Sequence, residues 1–253
     1  MNNGPADMTA STTRSRITVD AVRREVLDVL DGVPDGVPHG DGLGPCDAAL
    51  IGLAVRAAVS TLDPDGIEEY TRHALDAGAT PAQIHETVVV VSGLGVHSLM
   101  EGSRRVAAVL RARGTEPGAA ALDGPLDEHR AALRARLRGD DPYWDDFERE
   151  VPGYLDALLR MSPEAYEAFF AYCAVPWRTG HVRGRVKELI SLAADATPTH
   201  RYLPGVRLHL TNALRLGVGR RAVLETLDIA AAAPEHLGVP AASPGTGPGE
   251  VTR

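Results

Sequence analysis

Leu50-Ile51-Gly52-Leu53-Ala54 returns 139 residues later as Leu189-Ile190-Ser191-Leu192-Ala193. Laid over each other at that shift without a gap, residues 50–97 and 189–236 agree at 12 of 48 positions. Gly66 meets Gly205, Ala74-Leu75 and Gly78 meet Ala213-Leu214 and Gly217, and Glu86-Thr87 meets Glu225-Thr226. His97 meets His236, and with one gap Val37-Pro38 lies over Val175-Pro176. Self-similarity at a fixed shift means one structural unit used twice.

Each copy reads as helices. Residues 46–60 and 186–196 carry apolar side chains at helical spacing with almost no breakers. Helices over 66–77 and 205–216 follow, closed by Gly78 and Gly217, where a left-handed residue ends a helix. Thr80-Pro81 supplies an N-cap and a first-turn proline for a helix over 82–91, matched by one over 220–231. The run Val88-Val89-Val90-Val91 favours a strand by propensity, but its counterpart Leu227-Asp228-Ile229-Ala230 does not, so the repeat decides for helix. Residues 18–31 form an amphipathic helix ahead of a loop over 32–45, and 114–124 is a Gly/Ala/Pro linker. Further helices are expected over 126–138, over 145–161 with a break at Pro152, and over 163–174. The fold class is all-α, two helical halves related by pseudo-symmetry. The organisation is a disordered tail (1–16), a degenerate first repeat (17–113), a linker (114–125), a second repeat with aromatic-rich leading helices (126–242) and a disordered tail (243–253).

Composition narrows the function. The 253 residues carry 26 Lys plus Arg against 34 Asp plus Glu, a net charge of −8, so no nucleic-acid surface is expected. Lys187 is the sole lysine. Cys46 and Cys173 stand far apart in no zinc or thiol-disulfide spacing. No apolar run approaches a membrane span, and the first residues lack the apolar middle of a secretory signal, so a cytoplasmic protein is expected. Aromatics are scarce (2 Trp, 6 Tyr, 3 Phe), and nine of these 11 lie between Tyr143 and Trp177. That stretch is doing something different from the Ala, Leu and Val helices around it.

The repeated unit, a Gly-x3-His helix followed by Ala-Leu-x-x-Gly and then x-x-Glu-Thr, resembles the carboxymuconolactone decarboxylase family, which shares its fold with the alkylhydroperoxidase D-like proteins. The second copy is nearer, with Lys187-Glu188-Leu189-Ile190, Thr199-His200-x-Tyr202-x-Pro204-Gly205-x3-His209 and Asn212-Ala213-Leu214-Arg215-Leu216-Gly217. Val175-Pro176-Trp177-Arg178 also resembles two-repeat members. The peroxidase branch carries Cys-x-x-Cys with a histidine four residues on. Those cysteine positions fall on Tyr202 and Gly205, and the histidine on His209; in the first copy they fall on Asp63, Gly66 and Tyr70. With no thiol there, thiol peroxidase chemistry is excluded. The second copy keeps the histidine and the first has lost it.

His209 lies on an inward stripe with Tyr202, Val206, Ala213 and Leu216. Imidazole suits proton transfer near neutral pH, although a single buried histidine is more often a structural group. His200 stands nine residues earlier, where capping a helix end is an equal reading, and Glu188 sits in a first turn that favours negative charge anyway. The resemblance implies that His200 faces the same pocket and that Glu188 corresponds to a proton-relay carboxylate. Trp177 and Arg178 offer an apolar wall and a carboxylate clamp, or only packing and a surface charge; Arg207, Tyr202 and His236 complete the candidate substrate contacts. His200, His209 and His236 together form an alternative three-histidine metal site. His39, His73, His85, His97, His129 and His181 have no such convergence and read as solvated or structural.

The resemblance implies a cofactor-independent enzyme acting on a small carboxylated lactone or aromatic-derived compound. His209 would be the acid/base, Glu188 and His200 would tune it, and Arg178 or Arg207 would hold an anionic group. Decarboxylation, or isomerisation or cyclisation in a secondary-metabolic pathway, uses the same residues. The alternatives are a non-catalytic ligand-binding or assembly protein, or a metal-dependent enzyme. Family members assemble, which implies a homo-oligomer, dimer or trimer.

Overall fold

The computed structural model describes residues 16–113 and 122–239. The expected tails and most of the linker lie outside the described residues. Among those described there are helices and no strand. Helix α1 spans Val19–Asp31, and the first copy then runs α2 (Pro45–Ala57), α3 (Pro64–Asp76) and α4 (Pro81–Ser92). A short 3₁₀ turn leads into α5 (Val96–Arg113), a helix that the sequence pattern did not delimit. Then come α6 (Glu128–Leu137), α7 (Tyr143–Glu150), α8 (Tyr154–Met161), α9 (Pro163–Cys173) and the single turn α10 (Val175–Thr179). The second copy is α11 (Gly184–Ala196), α12 (Leu203–Arg215) and α13 (Arg220–Ala231).

The three repeated helices begin and end on equivalent residues at the same shift of 139. Their starts are written locally: Thr80 caps α4 in a reciprocal capping box with Gln83, and prolines occupy the first turns of α2, α3, α4 and α12. Gly78 and Gly217 take φ of +86° and +79°, the left-handed exits expected. The expected break at Pro152 separates α7 from α8.

The two copies interlock. Helices α2 and α11 lie against each other at the centre, and residues 186–196 of α11 are all buried. Leu189, Ile190, Leu192, Ala193 and Ala194 fill this core, and Lys187, Glu188, Ser191 and Asp195 of the same helix are carried into it with them. Helix α4 also packs on α11, and α13 on α2, so each copy covers the other's central helix. Glu86 of α4 accepts the backbone N–H of Val182 at 2.8 Å, and Glu225 of α13 accepts that of Leu43 at 2.6 Å. These pairs are equivalent under the repeat, so each half secures the chain entering the other. The Glu86 side also holds Lys187 at 2.6 Å, both side chains only 3% exposed, with Lys187 Nζ donating to Pro176 O.

The aromatic stretch forms a second core. Phe147, Tyr154, Tyr166, Phe169 and Phe170 are buried there with Met100, Leu158 and Leu208, and the rings meet edge-on or tilted. Most of these rings therefore serve as packing for α7–α9, and α7 rests on α12. The face of this core turned toward α11 and α12 leaves a cavity.

Candidate active site

His209, on the inner side of α12, points at α11. Its Nδ1 lies 2.7 Å from Oε2 of Glu188, a buried carboxylate two turns before Asp195 on the same helix. Burial alone would drive the imidazole toward its neutral form. The hydrogen bond and charge of Glu188, with the charge of Asp195, outweigh it and raise the His209 pKa. The histidine is thus oriented by one carboxylate and kept ready to carry a proton. Its other nitrogen, Nε2, lies 3.9 Å from Asp195 Oδ2.

Asp195 is 1% exposed, and neither of its oxygens has a hydrogen-bond partner. Burial pushes its pKa up to about 7, partly countered by His209. Its carboxylate occupies the space beside Gly205: a Cβ on that glycine would lie 1.9 Å from Oδ2. The position where the peroxidase branch is expected to carry its second cysteine is thus filled by an acid from the neighbouring helix.

His200, after the C-terminus of α11, meets a residue from the other half of the molecule. Its Nε2 is 2.8 Å from Nδ1 of His97 at the start of α5, and the two rings stack. The Tyr202 ring stacks on His97, the two centroids 4.1 Å apart. Burial, then the nearby charges of His200 and His209, lower the His97 pKa to about 3, and burial lowers that of His200. Asp195 Oδ1 stands 3.6 Å from each of the two facing nitrogens. His97, Asp195 and His200 therefore form a compact donor group.

A cavity of about 120 Å³ opens over these residues, lined by His97, Asp195, Tyr202 and His209 on one side and by Tyr143, Trp144, Phe147, Phe169 and Trp177 on the other. A second cavity of about 590 Å³ lies on the far side of Tyr143, Trp144 and Trp177, and Arg136, Arg178 and Glu188 line it. Trp177 borders both cavities and is half-exposed. An apolar pocket with a few convergent polar groups is the usual form of a small-molecule site.

The structure brings His209, Glu188, Tyr202 and Trp177 to one region and places Arg178 at the adjoining cavity, while His200, expected to face the same pocket, lines neither cavity and reaches the site through His97. Two expected contacts are corrected. Arg207 points outward, two residues from His209 and so on the opposite side of α12, where Glu25 holds it at 2.5 Å and Glu150 lies 3.9 Å away. His236 is exposed and lines neither cavity; its Nδ1 accepts the N–H of Gly238. The set His200, His209 and His236 therefore does not assemble. His97, read as solvated or structural, is the histidine that joins His200. Asp195 belongs to no motif in the sequence, although seven residues after Glu188 puts it on the same helical face.

In the first copy the equivalent space is filled. Tyr70 replaces His209, and Arg56 replaces Asp195 with its guanidinium 3.8 Å over the Tyr70 ring. Ala49 replaces Glu188, and Asp63, in place of Tyr202, merely caps α3.

Residues 163–243 match the model of the carboxymuconolactone decarboxylase family. No curated protein matches the chain. A 1.70 Å crystal structure from Burkholderia xenovorans LB400, provisionally described as a gamma-carboxymuconolactone decarboxylase subunit, is 32% identical. The alignment covers 83% of this chain and 77% of that one, with a TM-score of 0.63. By identity over most of both lengths, and by a shared all-helical architecture, the chain belongs to the carboxymuconolactone decarboxylase family.

Proposed function

We propose that this protein is a proton-transfer enzyme acting on a small carboxylated lactone or a related aromatic-derived compound, with His209 as the acid/base. The observation that carries the reading is the 2.7 Å pairing of His209 with buried Glu188 at the wall of an aromatic-lined cavity. A carboxylate fixed on one ring nitrogen sets the tautomer and leaves the other nitrogen to exchange a proton with substrate. In a decarboxylation of this type, the C–C bond electrons pass into the conjugated carbonyl as carbon dioxide leaves. The resulting dienolate then takes one proton from His209. Isomerisation needs the same group to remove and return a proton. Arg178 and Arg136, bordering the adjoining cavity, supply the cations for an anionic substrate.

The decarboxylase reading draws on family membership and on the description of the Burkholderia relative. That description as a subunit supports an assembly, as do the half-exposed Val106 and Val109 one turn apart on α5, and we read it as a homo-oligomer, dimer or trimer. Among the described residues no helix is long and apolar enough to cross a membrane.

The test is turnover of gamma-carboxymuconolactone and other carboxylated butenolides in deuterated water. The proposal predicts loss of one compound with a single deuterium placed on carbon in the product. Tight binding without turnover or exchange across the set would instead favour a ligand-binding protein.

A further inference from the structure

Asp195 lends charge to His209 but touches no reacting atom in the proton transfer just described, yet it is the most deeply buried acid of the site. A carboxylate sealed from water with both oxygens unpartnered is a group whose counterpart has still to be identified. The hydrogen bond between His97 and His200 satisfies one nitrogen of each ring and leaves the carboxylate as it was. Its Oδ1 and the two ring nitrogens form a triangle with sides of 2.8, 3.6 and 3.6 Å. Three points so spaced lie on a circle of radius about 2.0 Å. A single ion can therefore sit about 2.1 Å from all three, slightly off their plane, at the distance zinc keeps from imidazole nitrogen and carboxylate oxygen.

We propose that His97, Asp195 and His200 bind one divalent transition-metal ion of the zinc type. Two imidazoles and one carboxylate leave coordination positions open, the pattern of catalytic rather than structural sites. The open side faces the cavity that His97 and Asp195 line with His209. There an ion can take a carboxylate or enolate oxygen of the substrate. The ligands come from both halves, His97 from the first copy and the other two from the second. The first copy has no counterpart, because Arg56 and Thr61 stand where Asp195 and His200 stand in the second. One ion per chain is the expected stoichiometry.

The inference does not depend on the proton-transfer reading, since the ion is measured without substrate. The full-length chain is stripped with chelator, desalted and titrated with Zn²⁺ by calorimetry, with metal analysis after gel filtration. One tightly held Zn²⁺ per chain is expected. Asp195→Asn and His97→Ala should each weaken binding on the order of 100-fold, with unchanged helical circular dichroism, while His236→Ala should leave it unaltered. If Asp195→Asn does not fold, His97→Gln, closer to the surface, replaces it in the comparison. Absence of stoichiometric binding overturns the proposal. So does binding that survives both Asp195→Asn and His97→Ala, or that is lost on His236→Ala. Lactone turnover by protein that takes up no Zn²⁺ would leave the proton-transfer reading standing while this one falls.

Discussion

Tyr70 lies across Gly52, with its Cε1 2.1 Å from where a Cβ on that residue would sit. In the second copy the same two positions are His209 and Ser191, and both line the cavity. The first copy's pocket has thus been closed by a ring that requires a glycine beneath it. Gly52→Ser, which installs the second copy's residue, should destabilise the protein by about 1–3 kcal/mol despite the better helix propensity of serine. Tyr70→Ala should abolish most of that penalty in the double variant. Thermal or denaturant unfolding of the four proteins checks this; additive effects would mean that the two residues do not compete for space.

Removing the charge of Glu188 should change how His209 titrates. In Glu188→Gln the hydrogen bond and charge that hold the imidazole protonated weaken, while burial, which favours the neutral ring, remains. The His209 pKa is expected to fall, and turnover with it by about 10- to 100-fold, with helical content preserved. Nitrogen-edited NMR titration of the histidine rings reads the shift. An unchanged His209 titration would remove Glu188 from its role.

Acid stability should report on Glu86. Burial favours its neutral form, but hydrogen bonds from Lys187, Thr179 and Val182 outweigh this and lower its pKa. A depressed folded-state pKa gives stability that is complete above the ordinary glutamate value of about 4.3 and is lost as pH falls through the lower native value. Glu86→Gln should therefore flatten the loss of stability in that acid range. Glu86→Ala, which leaves Lys187 buried without its partner, should cost about 3–5 kcal/mol at neutral pH. The equivalent Glu225 is more exposed, and Glu225→Ala should cost less. Urea midpoints measured from neutral to acid pH separate these cases, and equal losses at the two positions would contradict the account.

Trp177 borders both cavities and is 49% exposed, so its ring has little core to lose. Trp177→Ala should weaken binding of a carboxylated butenolide by about tenfold while changing stability by less than about 1 kcal/mol. Calorimetric binding beside thermal unfolding decides this. A large fall in stability with binding intact would make the residue a packing element.

The repeat made the six core helices legible, because equivalent residues end them in both copies. It did not reveal where α5 lies, since the second copy has no described helix after α13 to match it. That gap also hid His97: its repeat partner His236 drew attention as a metal ligand, yet only His97 has a helix to carry it back to the other half. Asp195 was hidden by its surroundings, since Leu-Ile-Ser-Leu-Ala-Ala-Asp-Ala reads as a core helix and the acid's burial depends on α12 packing over it. Arg207 was legible and misread, because two residues along a helix from an inward His209 can only face out. The aromatic stretch stands out in the sequence only as different from its surroundings, and it is chiefly a second core whose inner face forms the pocket wall.

The central claim is that His209 moves the proton. The most direct measurement is turnover of a lactone substrate by His209→Gln, compared with wild type at matched folding, together with deuterium incorporation from solvent. The account predicts a loss of about 100- to 10,000-fold in rate, with deuterium incorporation lost in step. A variant that is folded and still incorporates deuterium at the wild-type rate would contradict it.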